Sequence, residues 1–256
     1  PCPEGLLNTK IIFHSIALSR KGKNPFYELK SIFLLYALFT ELKPDLVHLI
    51  TIKPYLYGGI AARFAKVPSV VSAVAGLGII FSSGKLKYAF LRAILYPLFR
   101  VAFSLKNQRV IFQNKDDRNV LLNWGVISKD KPVLIRGSGV DLNLCPYFPE
   151  PEGVPIISFA ARLLIDKGVI EFIEASRILK SRNVTVRFWL IGKPDPGNAN
   201  TVTEAQLKQW EDEGLVELFG YRKDIPNLFS QSNIVTLPSF YGEGLPKVLV
   251  EAAACG

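Results

Sequence analysis

Short apolar runs rich in β-branched residues alternate with longer helical segments along this sequence, and the alternation runs twice. A strand apolar on both faces must be covered on both, and a helix joining two such strands brings them parallel. The pattern therefore predicts an α/β chain of doubly wound parallel sheets. In the first half KIIFHSIAL (10–18), DLVHLITI (45–52), PSVVSAVAG (68–76), RVIFQN (109–114) and KPVLIRGSGVDL (131–142) read as strands. DLVHLITI has the composition of a buried parallel strand, which makes His48 a core residue. Asn24 and Pro25 supply a cap and a first-turn proline for a helix that runs to Leu42, where Lys43 and Pro44 stop it. YLYGGIAARFAK (55–66), residues 85–106 and DRNVLLNWG (117–125) are the other helices, and Pro97 is expected to kink the long one.

The second half restarts with PIISFAARL (155–163), followed by the helix KGVIEFIEASRILKS (167–181) and the strand VTVRFWLIG (184–192). ANTVTEAQLKQWEDEG (199–214) is a helix, VELFGY (216–221) a strand, DIPNLFSQS (224–232) a short helix and NIVTLPS (233–239) a strand. PKVLVEAAACG (246–256) opens a last helix. CPYFPEPEGVP (145–155) holds four prolines without periodicity and reads as a linker. The expected domains are residues 1–148 and 149–256.

Apolar residues make up 49% and charged ones 21%, the balance of a globular chain. Cys2, Cys145 and Cys255 are odd in number and far apart, no C-x-x-C occurs, and there are two histidines. This argues for buried thiols in a reducing compartment rather than a disulfide framework or a zinc site. SIFLLYALFT (31–40) is too short to span a bilayer, which takes about 20 apolar residues. With Pro at position 1 and no Met, the chain reads as a fragment of a longer frame.

The net charge of +9 is unevenly spread. Residues 1–148 hold 20 Lys and Arg against 8 Asp and Glu, net +12, which leaves 11 against 14, net −3, for residues 149–256. The excess suits an anionic partner, or is a solvated basic surface. In GKLKYAFLRAILYPLFRVAFSLK (84–106) Lys85, Lys87, Arg92, Arg100 and Lys106 mix with apolar residues, as on a helix lying at an anionic membrane; a core helix with a wet edge is the alternative.

Ligands of open α/β sheets bind outside the carboxyl ends of the strands. Three loops of the second half leave such ends. ARLLIDKG places Arg162 and Lys167 in a strand-to-helix turn, where two cations and a helix start suit a diphosphate. LFGYRKDIP offers Gly220, where a ligand can approach the backbone, and Tyr221 beside it. FYGEGLPKVLVEAAACG carries Glu243 ahead of a helix that Pro246 opens, and Glu251 inside it, with seven residues between the acids. A loop carboxylate accepts hydrogen bonds from sugar hydroxyls, backbone N–H groups around Gly244 and Leu245 border it, and a second carboxylate can hold a ribose diol. Each of these features has an ordinary structural reading as well: a basic loop, a turn glycine, a Glu251 paired with a cation.

Taken in order, EGLPKVLVEAAACG resembles the E-x7-E motif of retaining GT-B glycosyltransferases, the large group that includes bacterial polysaccharide enzymes. ARLLIDKG resembles the R-x4-K segment of the same family, and GSGVDL (137–142) its N-G-V-D turn. PDLVHLITIKPYLYGGIAARFAKVPSVVSAVAGLG is similar to enzymes that extend lipid-diphosphate-linked sugars. The resemblance implies two Rossmann-like domains facing a cleft, both incomplete here. It implies Arg162 and Lys167 on the donor diphosphate, Glu243, Gly244 and Leu245 on the donor sugar, Glu251 on the ribose, Gly220 and Tyr221 near the base, and Gly76, Leu77 and Gly78 on the acceptor side. Many family members have a histidine where Val74, Ala75 and Gly76 stand.

The implied activity is transfer of a hexose or N-acetylhexosamine from a UDP-linked sugar to a lipid-linked saccharide. The implied place is the cytoplasmic face of the membrane, in peripheral contact with anionic lipid through the basic half. No cofactor is expected. No D-x-D occurs, so no metal is expected either, and the Arg/Lys pair would do a metal's work. Three alternatives stand beside this: a GT-B sugar-nucleotide epimerase, a non-catalytic nucleotide-sugar binder, and a nucleic-acid binder. Nothing but charge suggests the last, and no nucleic-acid partner is expected.

Overall fold

The computed structural model describes residues 11–16, 24–82, 84–240 and 242–256. The chain divides into two compact units, Pro1–Ile135 and Arg136–Gly256.

In the first unit α1 (Pro25–Leu42) leads to β1 (Leu46–Ile50). A π-helical turn (Pro54–Gly58) opens α2 (Gly59–Phe64), and β2 (Ser69–Val74), α3 (Ile79–Ser82) and α4 (Leu86–Ala102) follow. β3 (Gln108–Phe112), α5 (Lys115–Asn123) and β4 (Pro132–Leu134) complete it. The sheet is parallel throughout, in the order β1-β2-β3-β4. Asn24 caps α1 as its sequence requires, accepting the Phe26 N–H at 3.0 Å. The core gathers around aromatic rings, with Tyr55 5.7 Å from Phe103 and Phe99 5.1 Å from Trp124 between centroids.

Three expectations change here. Residues 11–16 join neither sheet, and Ile11, Ile12 and Phe13 are exposed; Lys10, Ala17 and Leu18 lie outside the described residues. Branched residues favour a strand only through the packing a sheet supplies. Among the described residues β1 is the edge of its sheet, and there Leu46, His48 and Ile50 are exposed and Leu49 is buried. His48 is thus exposed rather than in the core. The helix expected over 55–66 begins with the π-helical turn, and the β-branched Thr51 before it has φ 73°. Such a backbone costs on the order of 1–3 kcal/mol.

Two buried charges fasten the connections. Lys131 donates to the carbonyls of Phe103 (2.6 Å) and Leu105 (2.8 Å) just beyond α4, and burial pushes its ammonium below the ordinary lysine range. Asp117 accepts from the Asn114 amide at 3.0 Å and from the Leu77 N–H, and burial pushes its carboxyl up.

The second unit runs β5 (Ile156–Ala160), a 3-10 turn (Ile165–Lys167), α6 (Val169–Ser181), β6 (Arg187–Ile191) and α7 (Glu204–Asp212). β7 (Glu217–Gly220), α8 (Ile225–Phe229), β8 (Ile234–Val235) and α9 (Lys247–Cys255) follow. Its sheet is also parallel, in the order β7-β6-β5-β8. Alternate residues of β6 serve opposite faces: Phe188 and Leu190 pack with Phe172 and Trp210, Trp189 and Ile191 with Leu228 and Phe229. Thr203 and Gln206 form a capping box at the start of α7.

The units divide after Ile135, ahead of the stretch read as a linker. Cys145 is buried with Cys255 in the second unit's core, and the Phe148 N–H donates to the Cys255 carbonyl at 2.8 Å. These contacts hold residues 145–148 to the second unit. Cys2 lies outside the described residues. Among the described residues no helix is long and apolar enough to cross a membrane.

Candidate functional site

β5 and β8 are neighbours in the second sheet, so the loops leaving their carboxyl ends are neighbours too. Lys167, from the loop after β5, is ion-paired with Glu243, from the loop after β8. The Ser239 hydroxyl lies 3.1 Å from Glu243 Oε1 and 3.2 Å from the Asp166 carbonyl oxygen, either of which can accept its proton. The two charged side chains are 20% and 22% exposed, half-sheltered yet open to a ligand.

A glycine makes the approach possible. Gly168 has φ +84°, and a Cβ there would fall 2.2 Å from the Pro238 carbonyl oxygen. Only a residue without a side chain lets the start of α6 lie against the chain leaving β8. Gly192 does the same between β6 and β5, where a Cβ would meet the Ala161 carbonyl oxygen at 1.9 Å.

Arg162 is turned onto Asp195, in the loop after β6, at 2.8 Å and not onto Glu243. Asp195 is itself fixed, its N–H donating to Thr201 Oγ1 at 2.7 Å and its Oδ1 accepting from the Gly197 N–H at 3.2 Å. Gly220 ends β7 with φ +62°, and its carbonyl accepts the Gly192 N–H at 2.8 Å. Tyr221 follows it, exposed. The expected donor residues thus follow the carboxyl ends of three strands of one sheet, β5, β7 and β8, with Asp195 after β6 as an addition, and the structure joins Lys167 directly to Glu243.

Glu251 lies in α9 and pairs with Lys247 at 3.2 Å, one helical turn away. α9 begins at Lys247, so Pro246 is its cap, in extended conformation, rather than a first-turn residue. Leu245 stands ahead of it with its side chain against Gly137, whose Cβ would be 2.7 Å from Leu245 Cδ2. The GSGVDL turn therefore supports the Glu243 loop from within the same unit. In the first unit Gly76 and Gly78 have φ 131° and 66°, whereas Leu77 between them is buried in the core. That loop presents backbone, not the Leu77 side chain.

Sequence reasoning passed over Asp195 and Ser239. Both lie a few residues past the carboxyl end of a strand, the signal that found Arg162 and Glu243. The acids Glu211 and Glu213 lie away from this edge, and Glu213 is engaged by Arg177 at 3.0 Å. Among the described residues no group of three or more His, Cys, Asp or Glu is arranged to hold a metal.

Residues 3–114 match the family described as Glycosyl transferase 4-like, and residues 147–256 the one described as Glycosyl transferases group 1. The chain belongs to these glycosyltransferases. Over 98% of its length it is 30% identical to the Campylobacter jejuni N,N'-diacetylbacillosaminyl-diphospho-undecaprenol alpha-1,3-N-acetylgalactosaminyltransferase. Over 90% it is 29% identical to the Escherichia coli UDP-Gal:alpha-D-GlcNAc-diphosphoundecaprenol alpha-1,3-galactosyltransferase. It spans 66% and 60% of the length of these curated glycosyltransferases. Among solved structures, Anabaena Alr3699/HepE in complex with UDP-glucose matches with a TM-score of 0.65 at 23% identity, over 91% of this chain and 63% of that one. Sucrose-phosphate synthase from Thermosynechococcus elongatus matches with a TM-score of 0.70 at 19% identity, over 94% and 61%. At these identities the likeness shows the fold, which is GT-B.

Proposed function

We propose that this glycosyltransferase chain acts, within its complete protein, by moving a hexose or N-acetylhexosamine from a UDP-linked sugar to a lipid-diphosphate-linked saccharide, with retention of configuration. The observation that carries the reading is the ion pair of Lys167 and Glu243 where the β5 and β8 loops meet. As the bond from the sugar to the diphosphate breaks, negative charge grows on the leaving oxygen. Lys167 and Arg162 are cations held ready for it, which lowers the barrier because they need no reorganisation. They take up the charge that a divalent ion takes elsewhere, so the reading requires no metal. Glu243 accepts hydrogen bonds from the sugar hydroxyls, with the N–H groups of Gly244 and Leu245 beside it. Glu251 holds the ribose diol, and Gly220 and Tyr221 border the base.

The UDP donor is supported by the names of the galactosyltransferase relative and of the UDP-bound Anabaena protein, and the acceptor by the diphospho-undecaprenol names of both relatives. Peripheral contact with the cytoplasmic membrane face, in cell-surface polysaccharide synthesis, completes the proposal. Leu86, Phe90 and Ile94 support it, exposed along one face of α4 and flanked by the exposed Lys85 and Lys87. Arg92 and Arg100 contribute less than their charge suggests, because they donate to the carbonyls of Ile80 (2.6 Å) and Gly125 (2.7 Å).

The test is product analysis. The complete protein is incubated with a panel of nucleotide sugars and lipid-diphosphate-linked saccharides, and the new linkage is read by mass and by anomeric NMR. An elongated lipid-linked saccharide with the donor's anomeric configuration is expected. An inverted linkage, or an epimerised nucleotide sugar with no transfer, contradicts the reading.

A further inference from the structure

Lys53 stands just beyond β1, at the carboxyl end of the first sheet, where open α/β sheets take their ligands. The chain around it departs twice from the least costly backbone. Thr51 is β-branched with φ 73°, and the π-helical turn Pro54–Gly58 follows directly. Both kinds of departure recur at functional sites.

Glu28 of α1 accepts Lys53 Nζ at 2.7 Å, and the Tyr57 hydroxyl donates to the same carboxylate. The Lys53 ammonium also lies 5.8 Å from the Tyr57 ring centroid. The Lys53 side chain is 29% exposed, and the direction of its ammonium is set from two sides. A partly exposed ion pair stabilises less than the Thr51 backbone costs, so stability alone does not account for the arrangement. A compact ammonium on an orienting carboxylate is, however, suited to a phosphate oxygen. The Thr51 N–H donates to the Ala73 carbonyl at 3.3 Å, which fastens this turn to β2, whose own carboxyl end runs into Gly76 and Gly78.

We propose that Lys53 is an anion-binding residue of the acceptor side, taking a phosphate oxygen of a lipid-linked diphosphate, with Glu28 and Tyr57 as the residues that position it. This deepens the transferase reading and rests on it for the diphosphate's identity.

The test is equilibrium binding of farnesyl diphosphate to the complete protein, with UDP in excess to fill the donor side and farnesol as the phosphate-free control. Lys53→Ala is expected to weaken diphosphate binding at least about tenfold, the loss of one charge-assisted hydrogen bond. Lys53→Arg should weaken it less, and farnesol binding should hold in both, whereas the melting temperature of Lys53→Ala should fall with the loss of its pair with Glu28. Equal diphosphate affinity in wild type and Lys53→Ala overturns the proposal, as does wild type that binds no diphosphate or a variant that loses farnesol equally. Failure of the transferase reading would show separately, as absent sugar transfer by wild type that still binds farnesyl diphosphate through Lys53.

Discussion

The ammonium of Lys167 and the carboxylate of Glu243 meet although 76 positions separate them, because β5 and β8 lie side by side. At about one-fifth exposure, each charge depends on the other more than a surface pair does. Lys167→Ala and Glu243→Ala should each lower stability by about 1–3 kcal/mol, and the double variant by less than their sum. Urea denaturation of the four proteins measures that coupling.

Gly168 should be far less replaceable than Gly139. Gly168→Ala adds a Cβ 2.2 Å from the Pro238 carbonyl oxygen at φ +84°, whereas Gly139→Ala meets open space at φ +69°. The first should cost about 3 kcal/mol or more and the second about 1–2 kcal/mol. Comparing their denaturation midpoints separates the clash from the backbone strain.

Arg162 and Asp195 should divide differently between stability and function. Arg162 is 53% exposed, so the pair is worth at most about 1 kcal/mol. Asp195→Asn should leave stability nearly unchanged and raise the donor KM about two- to fivefold, the kinetic equivalent of that energy. If Arg162 binds the donor diphosphate as proposed, Arg162→Ala should raise it more than about tenfold, the loss of one charge-assisted bond. Steady-state kinetics with varied nucleotide sugar reads both.

Glu28 predicts an acid dependence. Burial pushes its carboxyl up, but hydrogen bonds from Lys53 and Tyr57 outweigh that and hold it below its ordinary value of 4.5. A carboxylate so held contributes stability that is present above pH 4.5 and lost as the pH falls through its folded value. The melting temperature of wild type should exceed that of Glu28→Gln at neutral pH, and the gap should close on acidification below pH 4.5. A gap independent of pH would contradict the assignment.

Much of this was legible in the sequence because short-range chemistry decides it. Asn24 and Pro25 start α1. Branched runs between helices give parallel sheets. Positions past strand ends found Lys167 and Glu243. What escaped depends on neighbours. Whether His48 is buried is decided by where β1 falls in the sheet order, which its composition does not encode. Ile11 and Ile12 have strand chemistry but lie outside both sheets. Asp195 and Ser239 gain meaning only when strand order brings three loops together. The π-helical turn at Pro54 follows from tertiary packing, not from propensity.

The most direct measurement is sugar transfer by the complete protein, compared between wild type and the Lys167→Ala and Glu243→Ala variants, with folding checked by circular dichroism. The account predicts that each variant remains folded and loses at least about a hundredfold in turnover, as when a preorganised charge contact at a transition state is removed. Near-normal turnover in both variants would contradict it.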